Sequence, residues 1–243
     1  MSLPVDLWVL ALGFVWTIFA SAVQGTIGFG FAVVSVPVLS LVDPSLAPVP
    51  QLLVTMPLAL SMVWRERHAI ELSGVGWLLA GRIPGALVGL ALLKLANART
   101  LDVLIALVVM SAVVVMSTGR GIPRNRVTEF LTGVTSGAMA LVSSIGGPPI
   151  ALLYRNAPGA TLRSSLAAVF SVGVLITLVT RGAAGEISRS DLVLGACLLP
   201  AMFLGLKVSN SLKGRVEGTP LRIGILVVAS LAALGLLVRA LTA

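Results

Sequence analysis

The chain has 243 residues, of which 57% are hydrophobic and only 11% charged. A soluble domain carries about 25% charged residues, which excludes a water-soluble fold, and the apolar runs are long enough to cross a roughly 30 Å hydrocarbon core. The formal net charge of +8 does not mark a nucleic-acid binder, because the basic residues stand in short gaps between apolar runs.

The chain starts with an apolar run from Leu7 to Val23. It has no basic leader, so it is expected to be retained in the fold rather than cleaved. Phe31 to Val42 is apolar again, interrupted by Ser35, Pro37 and Ser40. Between them lies Gln24-Gly25-Thr26-Ile27-Gly28-Phe29-Gly30. A continuous helix through these glycines loses about 1 kcal/mol at each relative to alanine, so Gln24 to Gly30 reads as a helix break. Irregular backbone inside a membrane is tolerated where protein or a water-filled cavity satisfies its amides, which makes the break a candidate binding site.

Asp43-Pro44-Ser45 is a turn, and Ala47 to Trp64 the next span. Arg65-Glu66-Arg67-His68 forms a charged loop, Leu72 to Leu95 a span holding Arg82 and Pro84, and Leu101 to Ser117 a clean helix. The polar stretch Gly119 to Arg126 falls at the midpoint. Thr132 to Tyr154 is apolar and broken at Ser143-Ser144-Ile145-Gly146-Gly147-Pro148-Pro149. A helix from Leu162 to Thr180, a loop from Arg181 to Asp191, a span from Leu192 to Val208, a polar loop and a last helix from Leu221 to Leu241 complete the chain.

The second half repeats the landmarks of the first. Gly30 pairs with Gly147, Arg65 with Arg181, Glu71 with Glu186, Pro84 with Pro200 and Gly89 with Gly205, each pair 115 to 117 residues apart by subtraction. The expected organisation is a first membrane repeat over residues 1–119, a cytoplasmic linker over 120–127 and a second repeat over 128–243. If each break turns the chain round, Arg65, Arg67, Arg120, Arg124, Arg126, Arg155, Arg163, Lys207, Lys213, Arg215 and Arg222 share one side. Only Lys94, Arg99, Arg181, Arg189 and Arg239 then face them, an asymmetry that fits the positive-inside rule. Each half then crosses an odd number of times and the two must be inverted. The expected fold is an all-α polytopic membrane protein of two inverted repeats, each with a glycine-broken or re-entrant first segment plus about three transmembrane helices. Matching interrupted segments in two halves point to the central site of a secondary transporter.

In size, duplication and break positions the chain resembles the sulfite exporter TauE/SafE family, whose mark is a glycine-rich break followed by proline in the first segment of each half. Here the marks are Gln24 to Gly30 with Pro37, and Gly137 leading to Ile145-Gly146-Gly147-Pro148-Pro149. Phe29 interrupts the consecutive glycines that are commoner in the family. The resemblance implies a secondary transporter, an exporter, of sulfite, sulfoacetate or related small anions in the bacterial inner membrane.

The residues themselves also point to an anion. Helices restarting at Phe31 and after Pro149 aim unpaired N–H groups and a partial positive charge at a ligand. Gly25, Gly28, Phe29, Gly30, Gly146, Gly147 and Pro148 shape the two breaks, and Gln24, Thr26, Ser143 and Ser144 add side-chain donors. The competing reading is that these glycines only let helices pack closely. Arg82 is the one basic residue well inside an apolar span. Burial there costs at least about 2.5 kcal/mol, so it is expected to neutralise the anion or hold a broken-helix carbonyl end, the competing reading being that it snorkels toward an interface or caps a carbonyl near the Pro84 kink. Its repeat counterpart is Leu198.

Tyr154 and Asn156 could gate the second break, though an interfacial tyrosine is the ordinary reading. One histidine, His68, and one cysteine, Cys197, offer no metal cluster and no nucleophile–base pair. No enzyme activity, metal or cofactor is therefore expected. No carboxylate sits mid-span, so coupling, with or without an ion, is expected to ride on the charge of the substrate. A passive anion channel built on the same breaks, or a transporter of another small organic acid, is the alternative. The expected partners are the lipid bilayer and a small anion, with a homodimer through apolar outer faces as a further expectation.

Overall fold

The computed structural model describes residues 4–117, 121–212 and 219–242, and of residues 219–222 the backbone alone. Arg120, Lys213 and Arg215, which enter the charge asymmetry, lie outside the described residues, as does the side chain of Arg222. Among the described residues every regular element is helical. The helices are α1 (Leu7–Ile27), α2 (Phe31–Val42), α3 (Val49–Glu66), α4 (Val75–Leu95) and α5 (Ala98–Ser117), then α6 (Arg126–Ser143), α7 (Gly147–Leu153), α8 (Gly159–Ala183), α9 (Arg189–Leu212) and α10 (Thr219–Thr242). Among the described residues, seven helical segments are long and apolar enough to cross a membrane, drawn from α1, α3, α4, α5, α8, α9 and α10. This is a multi-pass membrane protein. Large apolar side chains such as Leu12, Leu87, Leu107 and Leu231 point outward, where a bilayer takes the place of water.

The first interruption is shorter than the sequence predicts. Helix α1 continues through Gln24, Gly25 and Thr26 to Ile27, and only residues 28–30 leave it. Gly28 and Gly30 have φ of 104° and 111°, a left-handed backbone that only glycine adopts cheaply. Past this turn α2 runs back along α1, where the Trp16 indole donates to the Val34 carbonyl at 3.2 Å. The second interruption is also shorter. It spans residues 144–146, and Pro148 and Pro149 sit inside the first turn of α7 rather than before it. Proline is pre-set for that position, but it has no N–H, so this restart offers fewer donors than the sequence reading expects. Ser144, with φ of 59°, makes the left-handed turn that glycine makes in the first half.

Helices α4 and α6 pack closely, as do α1 and α9. On α4, Gly81, Gly85 and Gly89 recur every fourth residue and form one stripe. A Cβ on Gly85 would stand 2.2 Å from the Val134 carbonyl oxygen of α6, and one on Gly205 of α9 2.2 Å from the Ile18 oxygen of α1. Small residues at this spacing let backbones meet where lipid supplies no hydrophobic drive. Helix α3 packs on α8 and α9, and α10 on α5 and α2. At one end of the bundle Arg239 of α10 makes a two-bond ion pair with Asp102 of α5 (2.8 and 2.6 Å) and donates to the Ser40 carbonyl in the last turn of α2 (2.6 Å).

Overpacking costs about 1–3 kcal/mol or more. Gly85→Leu is therefore expected to lower the thermal unfolding midpoint sharply or abolish monodisperse protein in detergent. Gly76→Ala, whose Cβ meets nothing within 4 Å, should leave the midpoint unchanged or raise it.

Candidate functional site

Two helices of the bundle end inside the protein, and the last carbonyls of a helix have no intrahelical partner. Arg65 of α3 supplies donors at one end. Its Nη2 donates to the Gly25 carbonyl of α1 at 2.5 Å, and its Nη1 to Ser209 and Asn210 at 3.1 and 2.8 Å. Arg181 of α8 does the same for α6, donating through Nε to the Leu141 carbonyl (2.9 Å) and through Nη2 to the carbonyls of Leu141 and of Val142 (3.2 Å to the latter). A cation at a helix C-terminus also meets the negative end of the macrodipole. The sequence reading assigns both arginines to loops. In the structure α8 continues to Ala183, and Arg181 is only 3% exposed. The 116-residue interval between the two arginines was the available signal.

Between the two chain turns lies a cavity of about 30 Å³, room for about two water molecules or one ligand of a few heavy atoms. Gln24 and Gly30 line it from the first turn, Ser144, Gly146 and Gly147 from the second, and Arg82 from α4. Thr55 of α3 and Phe170 of α8 also line it, among apolar side chains. The Arg82 side chain is held in place. Its Nη1 donates to the Ser136 hydroxyl at 3.0 Å, and that hydroxyl donates to the Gly146 carbonyl at 2.6 Å. Gly173 on α8 makes room for the guanidinium, since a Cβ there would stand 2.3 Å from Arg82 Cζ. Ser136 and Gly173 escaped the sequence reading; a glycine mid-way along an apolar helix was the only hint.

Arg82 is 2% exposed and has no carboxylate partner among the described residues. Its Nε has no hydrogen-bond partner there either, and the same is true of Gln24 Nε2. The other end of the Gln24 amide, Oε1, accepts the Phe31 N–H across the first turn at 3.2 Å, which fixes the amide's orientation. Two buried donors on residues lining one cavity, one of them carrying a positive charge, are suited to an anionic acceptor.

The other candidates lie elsewhere. Gly25 packs on Ser209 of α9, and its carbonyl serves Arg65. The Thr26 hydroxyl donates to the Ala22 carbonyl of its own helix (2.8 Å). Ser143 likewise donates to Met139 (2.8 Å) and accepts the Ile145 N–H (3.4 Å). Gly28 abuts Arg163. Phe29 and Pro148 line a larger neighbouring cavity. Tyr154 is buried, with the Arg124 guanidinium 4.5 Å from its ring centroid.

The fold and cavity define a multi-pass helical membrane protein with a small cationic chamber between two chain turns. The model of the family described as sulfite exporter TauE/SafE matches residues 13–236, and the chain belongs to this family. It is a family of membrane transporters and not of enzymes. No curated protein and no solved structure matches the chain.

Leaving carbonyls without donors inside the bundle costs about 1–3 kcal/mol each. Arg181→Leu is expected to lower thermal stability strongly. Arg65→Leu should lower it less, because the Arg65 side chain is 18% exposed and water can replace it. Unfolding curves of the two purified variants in one detergent check the order.

Proposed function

We propose that the protein is a secondary transporter exporting a small sulfur-containing anion, of the sulfite or sulfoacetate class, across the bacterial inner membrane. One observation carries this reading: a buried guanidinium without a carboxylate partner shares a cavity with the unpaired amide donor of Gln24. An anion entering there restores the charge balance that the fold leaves open. The cavity volume favours a compact oxyanion over a longer organic acid, so sulfite is the preferred substrate.

The reading includes two inverted repeats that place their turns against one another. In its support, exchange of the halves turns the α1–α9 contact into the α6–α4 contact and maps α3–α8 and α5–α10 onto themselves. Arg65 and Arg181 serve helix ends at equivalent positions, since Gly25 and Leu141 are 116 residues apart by subtraction. Arg82 breaks this symmetry and gives the site its charge from one half alone. Movement of one half against the other would open the chamber to each side in turn.

Hydrogen bonds to a charged group are worth about 1.5–3 kcal/mol, which corresponds to tenfold to hundredfold in affinity. Reconstituted protein on a sensor-supported membrane is expected to give saturating currents with sulfite. Arg82→Gln should raise the half-saturating concentration by about that factor, and Arg82→Lys by less. Gly147→Leu, whose side chain would run into Phe170 and Phe29, should abolish the response. Counterflow of labelled sulfite should accompany it. Saturable sulfite transport unchanged by Arg82→Gln would overturn the assignment of the site, and flux without counterflow would make the protein a channel.

A further inference from the structure

A second cavity, of about 290 Å³, lies beside the first. Its wall is apolar, built from Phe29 at the first turn, Met116 of α5, Ala151 of α7 and Leu162 of α8, with a single charged residue, Arg155. The neighbouring arginines at that end of the bundle are engaged. Arg124 bonds Glu71 at 2.7 Å and Arg163 bonds Glu66 at 3.1 Å. Arg155 has neither an ion pair nor a hydrogen bond among the described residues. A cation without a counter-charge, set in a low-dielectric wall, concentrates its field in the cavity and draws anions there.

What separates this cavity from the central one is thin. Gly147 lines the central cavity and Phe29 the second. A Cβ on Gly147 would stand 3.6 Å from Phe29 Cβ and 3.2 Å from Phe170 Cζ, so this glycine packs against the Phe170 ring, which lines the central cavity, and against Phe29, which lines the second. Phe29 is itself flanked by Gly28 and Gly30, both left-handed, conformations that glycine adopts and leaves at little cost. Phe29 is also the residue that interrupts the glycine run of the first break.

We propose that the second cavity is the vestibule of the transporter, a separate anion subsite at Arg155, and that Phe29 is the door between it and the central chamber. The inference rests on the transporter reading above. A small oxyanion is captured at Arg155, passes when the Phe29 ring swings aside, and is received by Arg82 and Gln24. The ring shuts an apolar partition behind it.

Thiol labelling tests this without relying on turnover. Cys197 is the one cysteine in the chain, so Cys197→Ser gives a silent background for Ala151→Cys in the vestibule and Thr55→Cys in the central chamber. Ala151→Cys is treated in proteoliposomes with an anionic sulfonatoethyl and a cationic trimethylammonioethyl methanethiosulfonate, and Thr55→Cys with hydrogen peroxide, which is small enough for the chamber, its oxidation read as loss of maleimide labelling after unfolding. At Ala151→Cys the anionic reagent is expected to react faster, and Arg155→Gln should cut the anionic-to-cationic rate ratio about tenfold. Phe29→Ala should speed the reaction of Thr55→Cys severalfold, and by far more than that of Ala151→Cys, whose cavity Phe29 also lines. A ratio indifferent to Arg155→Gln would overturn the subsite, and a Thr55→Cys rate indifferent to Phe29→Ala would overturn the door. If Ala151→Cys reacted only with a lipid-soluble maleimide, the cavity would be a lipid slot and the vestibule would be refuted. Arg155-dependent labelling in protein that gives no sulfite current would count against the transporter reading alone. Sulfite currents with Arg155-independent labelling would count against the vestibule alone.

Discussion

Two helices that stop inside an apolar bundle set the terms for everything around them. Where little water reaches, the free carbonyls at a helix end need donors. Arg65 and Arg181 are those donors. Each reaches from the third helix of its half to the end of the first, so the chain can leave the helix, turn and start again. Without that provision the turns at residues 28–30 and 144–146 would carry unsatisfied backbone in a medium that does not forgive it. The two arginines also tie α3 to the end of α1 and α8 to the end of α6, beside the chamber between the turns.

Satisfying the carbonyls with cations leaves the interior rich in positive charge. Part of it is cancelled by the helix dipoles that Arg65 and Arg181 face, and part by the ion pairs of Arg163 with Glu66 and of Arg124 with Glu71. Arg82 is different. It has a hydroxyl for a partner and no carboxylate among the described residues, and its Nε and the Gln24 Nε2 lack partners. Such residues are expensive in a membrane and face cavities or partners. Arg82 also reaches the second turn through Ser136, and the proposed anion would meet the charge that this contact leaves unpaired.

The glycines serve two ends that the sequence cannot separate. Gly28 and Gly30 are required by backbone conformation. Gly81, Gly85, Gly89 and Gly205 are required by the close approach of neighbouring helices. Gly25, which belongs by sequence to the first break, serves the second end: it stays helical and accommodates Ser209 of α9. The loss of about 1 kcal/mol that argued against helix there is outweighed by what α9 gains from lying close.

Composition and the spacing of apolar runs determined by themselves that the chain is helical and crosses a membrane several times, because only helices and closed barrels satisfy their backbone in lipid. The glycine-rich stretches marked both turns to within four residues, since the conformations at Gly28 and Gly30 are closed to other side chains. Arg82 stood out because an apolar run surrounds it. Local sequence could not say which neighbours of a turn face inward: Gln24 and Ser144 line the chamber while Thr26 and Ser143 bond back to their own helices. Nor could it show that Arg65 and Arg181, placed by sequence in loops, lie against helix ends far along the chain. Those outcomes depend on how α3 and α8 pack across the bundle, and only the tertiary structure decides that, because the rotation of a helix about its axis is set by the surfaces it meets and not by its own residues.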